Sequence, residues 1–90
     1  MKPYTVQPTP NPNSLKFTAS EGSFIESGMV ACSTETEAAD HPLSAALFAL
    51  DGVLNVLVLP PFATVTKHPG ADWNTLLPKV ERILTDHLEG

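Results

Sequence analysis

Cysteine, basic side chains and long apolar runs are scarce in this sequence, and each scarcity removes a class of function. The 90 residues hold one cysteine, so no disulfide closes within the chain. Such thiol use fits a reducing cytoplasm, the location the sequence predicts. Lysine and arginine number five against ten acidic residues, a net charge of −5 with no basic run. Counterion release from nucleic acid therefore has nothing to drive it, and an anionic membrane surface is equally excluded as a partner. No apolar stretch approaches the ~20 residues of a membrane span, and Met1-Lys2-Pro3-Tyr4 does not open an apolar leader. A glycine-rich phosphate loop and a G-x-S-x-G nucleophile elbow are both missing.

What is present describes one folded domain spanning 1–90. Hydrophobic content of 42% with 17% charged residues is ordinary for a chain that buries a core, near the lower size at which that is done without staples. Val53 to Lys67 organises the rest. Val53–Leu59 is apolar at nearly every position, and Phe62–Lys67 alternates, with Phe62, Thr64 and Thr66 on one side and Ala63, Val65 and Lys67 on the other. The two runs predict a central antiparallel pair. Pro60-Pro61 between them cannot adopt the positive φ of a tight two-residue turn, so a wider connection using flanking residues is expected.

Four of the nine prolines fall in the first twelve residues. Tyr4 to Gln7 reads as a short strand at a sheet edge, where proline is tolerated. Thr9 to Ser14 is a rigid turn segment, because residues before proline leave the α region while Asn and Ser bond nearby backbone. Leu15 to Thr18 resumes alternation with Leu15 and Phe17 on one face, Glu21-Gly22 marks a turn, and Met29–Cys32 is a third, edge-type strand. Thr34 to Asp40 is acidic and polar, read as a solvated connection.

Pro42 suits a first helical position, and Leu43, Ala46, Leu47 and Leu50 then form one apolar stripe, with Gly52 expected as the residue past the helix end. Asp72 is a credible N-cap for a second helix whose stripe is Trp73, Leu76, Leu77, Val80, Ile83, Leu84 and Leu88. Pro78 falls within this pattern. An interior proline costs roughly 3 kcal/mol, so a preliminary turn at Asp72–Leu77 and a main helix from about Pro78 to Leu88 are expected. The fold class is α+β: a two-layer sandwich in which a mainly antiparallel sheet of four to five strands carries two helices on one face. The other face is then expected to leave Leu54, Val56 and Val58, or their alternates, partly exposed, as an association surface.

Chemistry-bearing residues are few and poorly grouped. Thiolate binding of an iron–sulfur cluster normally takes four ligands, so Cys32 alone reads as a small buried hydrophobe. His41, His68 and His87 lack zinc-site spacing, and none is read as a metal ligand. Asp40-His41 with Ser14 or Ser44 makes no recognisable hydrolase pattern, and no enzymatic activity is expected. Asn11 to Lys16 is the strongest candidate. Turn chemistry alone explains its residue types; the functional reading is a preorganised loop offering Asn11, Asn13, Ser14 and Lys16 to a partner at little cost in entropy.

Three stretches together resemble one family. Thr9-Pro10-Asn11-Pro12-Asn13-Ser14-Leu15-Lys16-Phe17 resembles the signature TPNPNSLKF of the N-terminal domain of Nfu/NifU-type iron–sulfur cluster scaffold proteins. Pro42-Leu43, Leu47-Phe48 and Asp51-Gly52-Val53 are similar to that family's short helix and the approach to its next strand. Phe62 to Lys67, Asp72-Trp73 and Leu76-Leu77-Pro78 look like its following strand and closing helix. Departures are specific: Leu59-Pro60-Pro61 stands where the family usually has Gly-Pro and then Asp or Asn, and His41 stands where a serine commonly precedes Pro42. Full-length scaffolds of the family also carry a second domain with a Cys-x-x-Cys pair, which this sequence lacks.

The resemblance therefore implies an accessory protein-interaction domain in iron–sulfur cluster assembly or transfer. It would bind no cofactor by itself, meeting a cluster only through a partner. Iron–sulfur assembly or recipient proteins are the partners implied. The alternative is direct, weak binding of iron or another metal ion at histidine or carboxylate groups.

Overall fold

The computed structural model describes residues 4–20, 22–39 and 41–89, so Glu21, Asp40, Gly90 and the first three residues lie outside it. Eight elements follow in the order β1 (Tyr4–Pro8), β2 (Ser14–Ala19), β3 (Val30–Cys32), α1 (Glu35–Ala38), α2 (Pro42–Phe48), β4 (Val53–Val58), β5 (Phe62–Lys67) and α3 (Trp73–Glu89). The strands form one antiparallel sheet in the order β1-β2-β5-β4-β3. The α+β class and the two-layer arrangement are as the residue pattern predicts. Strands β4 and β5 lie inside the sheet, while β1 and the three-residue β3 form its edges.

Register explains which side chains make the core. Phe17 lies opposite Ala63, Leu15 opposite Val65, and Val65 opposite Val56. These share the face on which Leu43 and Leu47 of α2 and Leu76, Val80 and Leu84 of α3 are buried. Tyr4 closes the β1 end of that face, its ring edge-on to Phe17 at 5.9 Å between centroids. Its hydroxyl donates to Glu81 Oε2 on α3 at 2.8 Å, tying sheet to helix.

Burial and that carboxylate push the Tyr4 hydroxyl up to about 12 from its ordinary 10.0. The unfolded chain then ionises first as pH rises. The stability held by neutral Tyr4 is complete below pH 10.0 and is lost between there and about 12. Relative to Tyr4→Phe, the wild type is expected to lose about 2–3 kcal/mol across this window. Chemical denaturation at three alkaline pH values checks it; parallel losses in both proteins would remove Tyr4 as the cause.

Several local expectations are corrected. The helix α3 runs unbroken through Pro78. Proline removes the bond to the Asn74 carbonyl, but both residues are exposed, on the solvent side of the helix where a lost backbone bond costs least. The buried stripe from Leu76 to Leu84 keeps its phase across the proline, and this burial holds the helix together. Asp72 does cap it, with Oδ1 accepting from the Asn74 N–H at 2.9 Å.

The stretch read as a polar connection holds α1. Thr34 Oγ1 accepts from the Glu37 N–H at 3.2 Å and Glu37 Oε1 accepts from the Ser33 N–H at 3.1 Å, a reciprocal cap. Ahead of α2, His41 supplies the N-cap backbone but no side-chain cap, and its Nδ1 is buried without a hydrogen-bond partner among the described residues. Helix α2 ends at Phe48 with Ala49 as its cap, so Gly52 belongs to the next turn rather than to the helix end.

The connection from β4 to β5 is narrower than expected: Val58 pairs with Ala63 and Leu59 bonds Phe62, so only Pro60-Pro61 intervene, without any positive φ. Leu59 N–H donates to the Phe62 carbonyl, while the Pro60 and Pro61 carbonyls accept from Phe24 and Ala19. Of the two sets left open for the uncovered sheet face, the alternates to Val56 and Val58 lie there. Val56 and Val58 are buried against the helices, and Asn55, Leu57, Lys16, Thr18, Phe62 and Thr64 face away from them. A bulge between Val53 and Asn55 turns Leu54 outward, leaving it 40% exposed.

Candidate functional site

The signature segment forms the β1–β2 connection, and its polar groups are largely spent on itself. Asn11 Oδ1 accepts from the Asn13 N–H at 2.9 Å, the Asn11 carbonyl accepts from the Ser14 N–H at 3.0 Å, and Thr9 Oγ1 accepts from the Asn11 N–H at 3.1 Å. Prolines at 10 and 12 fix φ between these bonds, so the loop needs no partner to hold its shape. Ser14 is buried, with its hydroxyl 2.6 Å from that of Thr66 on β5. Of the four residues singled out from sequence, Asn11, Asn13 and Ser14 therefore lie together in this loop. Lys16 stands apart, on the uncovered sheet face, with its Nζ 4.4 Å from the centroid of the Phe62 ring.

Asn13 does the most. Its carbonyl accepts from the Lys67 N–H at 2.8 Å, and its Oδ1 accepts from Lys67 Nζ at 2.9 Å. Lys67 is only 8% exposed, on the core side of β5, and its other acceptor is the His68 carbonyl at 3.4 Å. Asn13→Ala leaves a nearly buried ammonium without its better acceptor, at about 1–3 kcal/mol. Lys16→Ala removes an exposed cation–π contact of about 0.5–1 kcal/mol. Thermal melts are expected to fall clearly for the first and slightly for the second. Equal falls would mean Asn13 holds nothing that Lys16 does not.

The loop continues into a larger structure at the same end of the sheet. Trp73 Nε1 donates to the Pro12 carbonyl at 3.4 Å, seating the loop on the start of α3. The His68 N–H donates to the Gly52 carbonyl at 2.8 Å. Gly52 has φ +103, and a Cβ there would lie 3.1 Å from that of Ala71. Three turns, Thr9–Ser14, Asp51-Gly52 and His68–Asp72, are thus stitched side by side. Between the last two lies an open groove of about 850 Å³, lined by Phe48, Leu50, Leu54 and Leu76 and edged by Asp51, His68, Asp72 and Lys79. No single stretch of sequence announced this groove, because its walls come from α2, β4, the β5–α3 turn and α3.

Cys32 lies elsewhere, beneath α2. It is 2% exposed and its thiol donates to the Val56 carbonyl at 3.6 Å. Burial pushes the thiol up from its ordinary range, outweighing the downward pull of the Ser44 hydroxyl, and the nearby Glu37 carboxylate adds to the rise. Ser44 is itself fully buried and makes no full hydrogen bond, only the weak contact that a thiol offers. A thiol so placed is a poor nucleophile and a poor ligand. His87 also works structurally: its Nε2 donates to the Phe24 carbonyl at 2.6 Å, holding the β2–β3 connection against α3. Among the described residues, no three His, Cys, Asp or Glu side chains converge to hold a metal ion.

Fold and loop chemistry together define a small α+β domain with a set of stitched turns at one end of its sheet. Residues 4–90 match the family "Scaffold protein Nfu/NifU N terminal", and the chain belongs to that family. It is 40% identical over 81 residues to the human protein "NFU1 iron-sulfur cluster scaffold homolog, mitochondrial", covering 89% of this chain and 32% of that one. It is 36% identical over 80 residues to "NifU-like protein 5, mitochondrial" of Arabidopsis thaliana, covering 89% of this chain and 29% of that one. The chain thus spans about a third of the curated relatives it matches.

Among solved structures, the crystal structure of protein SAV1430 from Staphylococcus aureus superposes with a TM-score of 0.75 at 28% identity, over 92% of this chain and 98% of that one. A NifU-like protein from Saccharomyces cerevisiae shares the fold, with a TM-score of 0.78 at 24% identity over 96% of this chain and 77% of its own.

Proposed function

We propose that this chain is a docking domain in iron–sulfur cluster assembly or transfer, contacting assembly or recipient proteins without gripping a cluster itself. The observation that carries this reading is the conjunction of family membership with the state of its one thiol. Residues 4–90 belong to a scaffold-protein family, yet Cys32 is buried, raised in pKa and hydrogen-bonded inward. Cluster ligation needs several accessible thiolates, normally four. Protein contact is the role that the exposed remainder of the chain can serve without them.

The non-catalytic reading rests on the same scaffold-protein family. Cellular placement follows the partners. The two relatives named above are mitochondrial by name, and the low cysteine count is compatible with any reducing compartment. No helix among the described residues is long and apolar enough to cross a membrane.

Affinity purification with the tagged chain, read by mass spectrometry, is expected to enrich iron–sulfur assembly or recipient proteins over a tag-only control. Their absence from the enriched set would sink the docking role. Anaerobic reconstitution with ferrous iron and sulfide tests the second half. The expected product is colourless after desalting, whereas a stable brown species with acid-labile sulfur would show that the chain holds a cluster.

A further inference from the structure

The groove beside the stitched turns combines an apolar floor with unspent charge. Leu54 is lifted into it by the β4 bulge and stays 40% exposed, while Phe48 and Leu50 are only half-buried although they pack against the core. Its volume, about 850 Å³, falls within the range of about 300–1,000 Å³ usual for ligand-binding clefts. Asp51 and Asp72 edge it, both exposed. Asp51 makes no hydrogen bond or ion pair among the described residues, and Asp72 spends only Oδ1, on the α3 cap. Lys79 is the one formal positive charge on the rim, so the rim is net negative. The last turn of α2 adds no basic residue to offset it.

We propose that this groove docks a partner segment bearing a bulky aliphatic or aromatic side chain next to lysine or arginine. The apolar side chain would cover Leu54, Phe48 and Leu50, and the cation would meet Asp51 and Asp72. Apolar burial supplies affinity while the charges set orientation and partner choice. The whole-chain charge of −5 attracts the same sign of partner over longer range. The uncovered sheet face makes a weaker case, since its cation, Lys16, already sits over Phe62 and carboxylates are lacking among the residues named there. The inference rests on the docking role proposed above and assigns its partner chemistry.

The test uses the 90-residue chain, isotope-labelled, and three capped octapeptides followed by amide chemical shifts. The first has leucine and phenylalanine flanked by lysines, the second replaces lysine with glutamate, and the third replaces the apolar pair with serine. Only the first is expected to move the amides of residues 49–54 and 68–79. Asp51→Asn with Asp72→Asn should weaken it roughly five-fold, the size of two exposed charge pairs; asparagine still caps α3. Asp51→Lys, a change at an exposed site, should weaken the lysine peptide and admit the glutamate one.

The proposal is overturned if the lysine peptide leaves these amides unmoved, or if the glutamate peptide binds the wild type equally. Concentration-dependent shifts of the same amides without peptide would also overturn it, by showing a second copy of the chain as occupant. Retained capture of iron–sulfur proteins alongside a failed peptide titration removes the groove alone and leaves the docking role standing.

Discussion

Phe17→Ala is expected to destabilise the domain by about 3–5 kcal/mol, the usual loss for emptying a phenylalanine site in a core. A chain of this size has about 5–13 kcal/mol in total, so the variant would lie near the edge of folding. Phe17 is fully buried, opposite Ala63 on β5 and Val6 on β1. Its small cross-strand neighbour Ala63 leaves the space to the ring. The ring also supports Tyr4 edge-on, and Tyr4 in turn holds Glu81 on α3. The damage should therefore pass from the sheet to the helix layer. At about 4–8 °C per kcal/mol for a domain this small, the melting temperature should fall by roughly 12–40 °C. A drop under 5 °C would show that the site collapses freely and that the β1–β2–β5 packing is softer than described.

The second large effect is expected at Gly52→Ala. A side chain at φ +103 strains the backbone by about 1–3 kcal/mol. The new methyl also meets the Ala71 Cβ at 3.1 Å, closer than ordinary contact, so the turn before α3 must move. Together these predict a loss of about 2–4 kcal/mol, of which the backbone part is the larger. Gly52→Ala with Ala71→Gly separates the two contributions. The pair is expected to recover the crowding part and keep the backbone part, so its melting temperature should lie between the wild type and the single variant. Full recovery would mean that the backbone is unstrained there. The single variant should also shift the His68 amide, because that N–H donates to the Gly52 carbonyl.

Local periodicity made much of the fold legible. The alternation of Phe62 to Lys67 and the stripe of α3 each record one buried face, so element type and layer order could be read directly. What escaped was encoded otherwise. Helix α1 has four residues and is held by the Thr34–Glu37 cap rather than an apolar stripe, although Thr-x-x-Glu was there to be read. Pro78 misled because its cost depends on where the orphaned carbonyl points, which only the packed helix reveals.

Which face Val56 and Val58 take stayed open in the sequence because nearly every position of β4 is apolar and the bulge beside Leu54 leaves no local mark. The candidate site was half legible. Its proline-rich loop stood out, but the Asn13–Lys67 bond joins residues 54 apart. The groove is assembled from turns that meet only after folding.

The two margins of the sheet bear on how this protein meets others. At one side β1 ends in Pro8, which has no amide hydrogen to offer, and at the other β3 is three residues long. Both features blunt the sheet's edges against strand addition. Lateral growth into ribbons or fibrils is discouraged from both directions, and a visiting polypeptide is steered away from strand addition. Recognition is left to the turns and the broad surfaces, where side-chain identity rather than backbone pairing decides who is admitted.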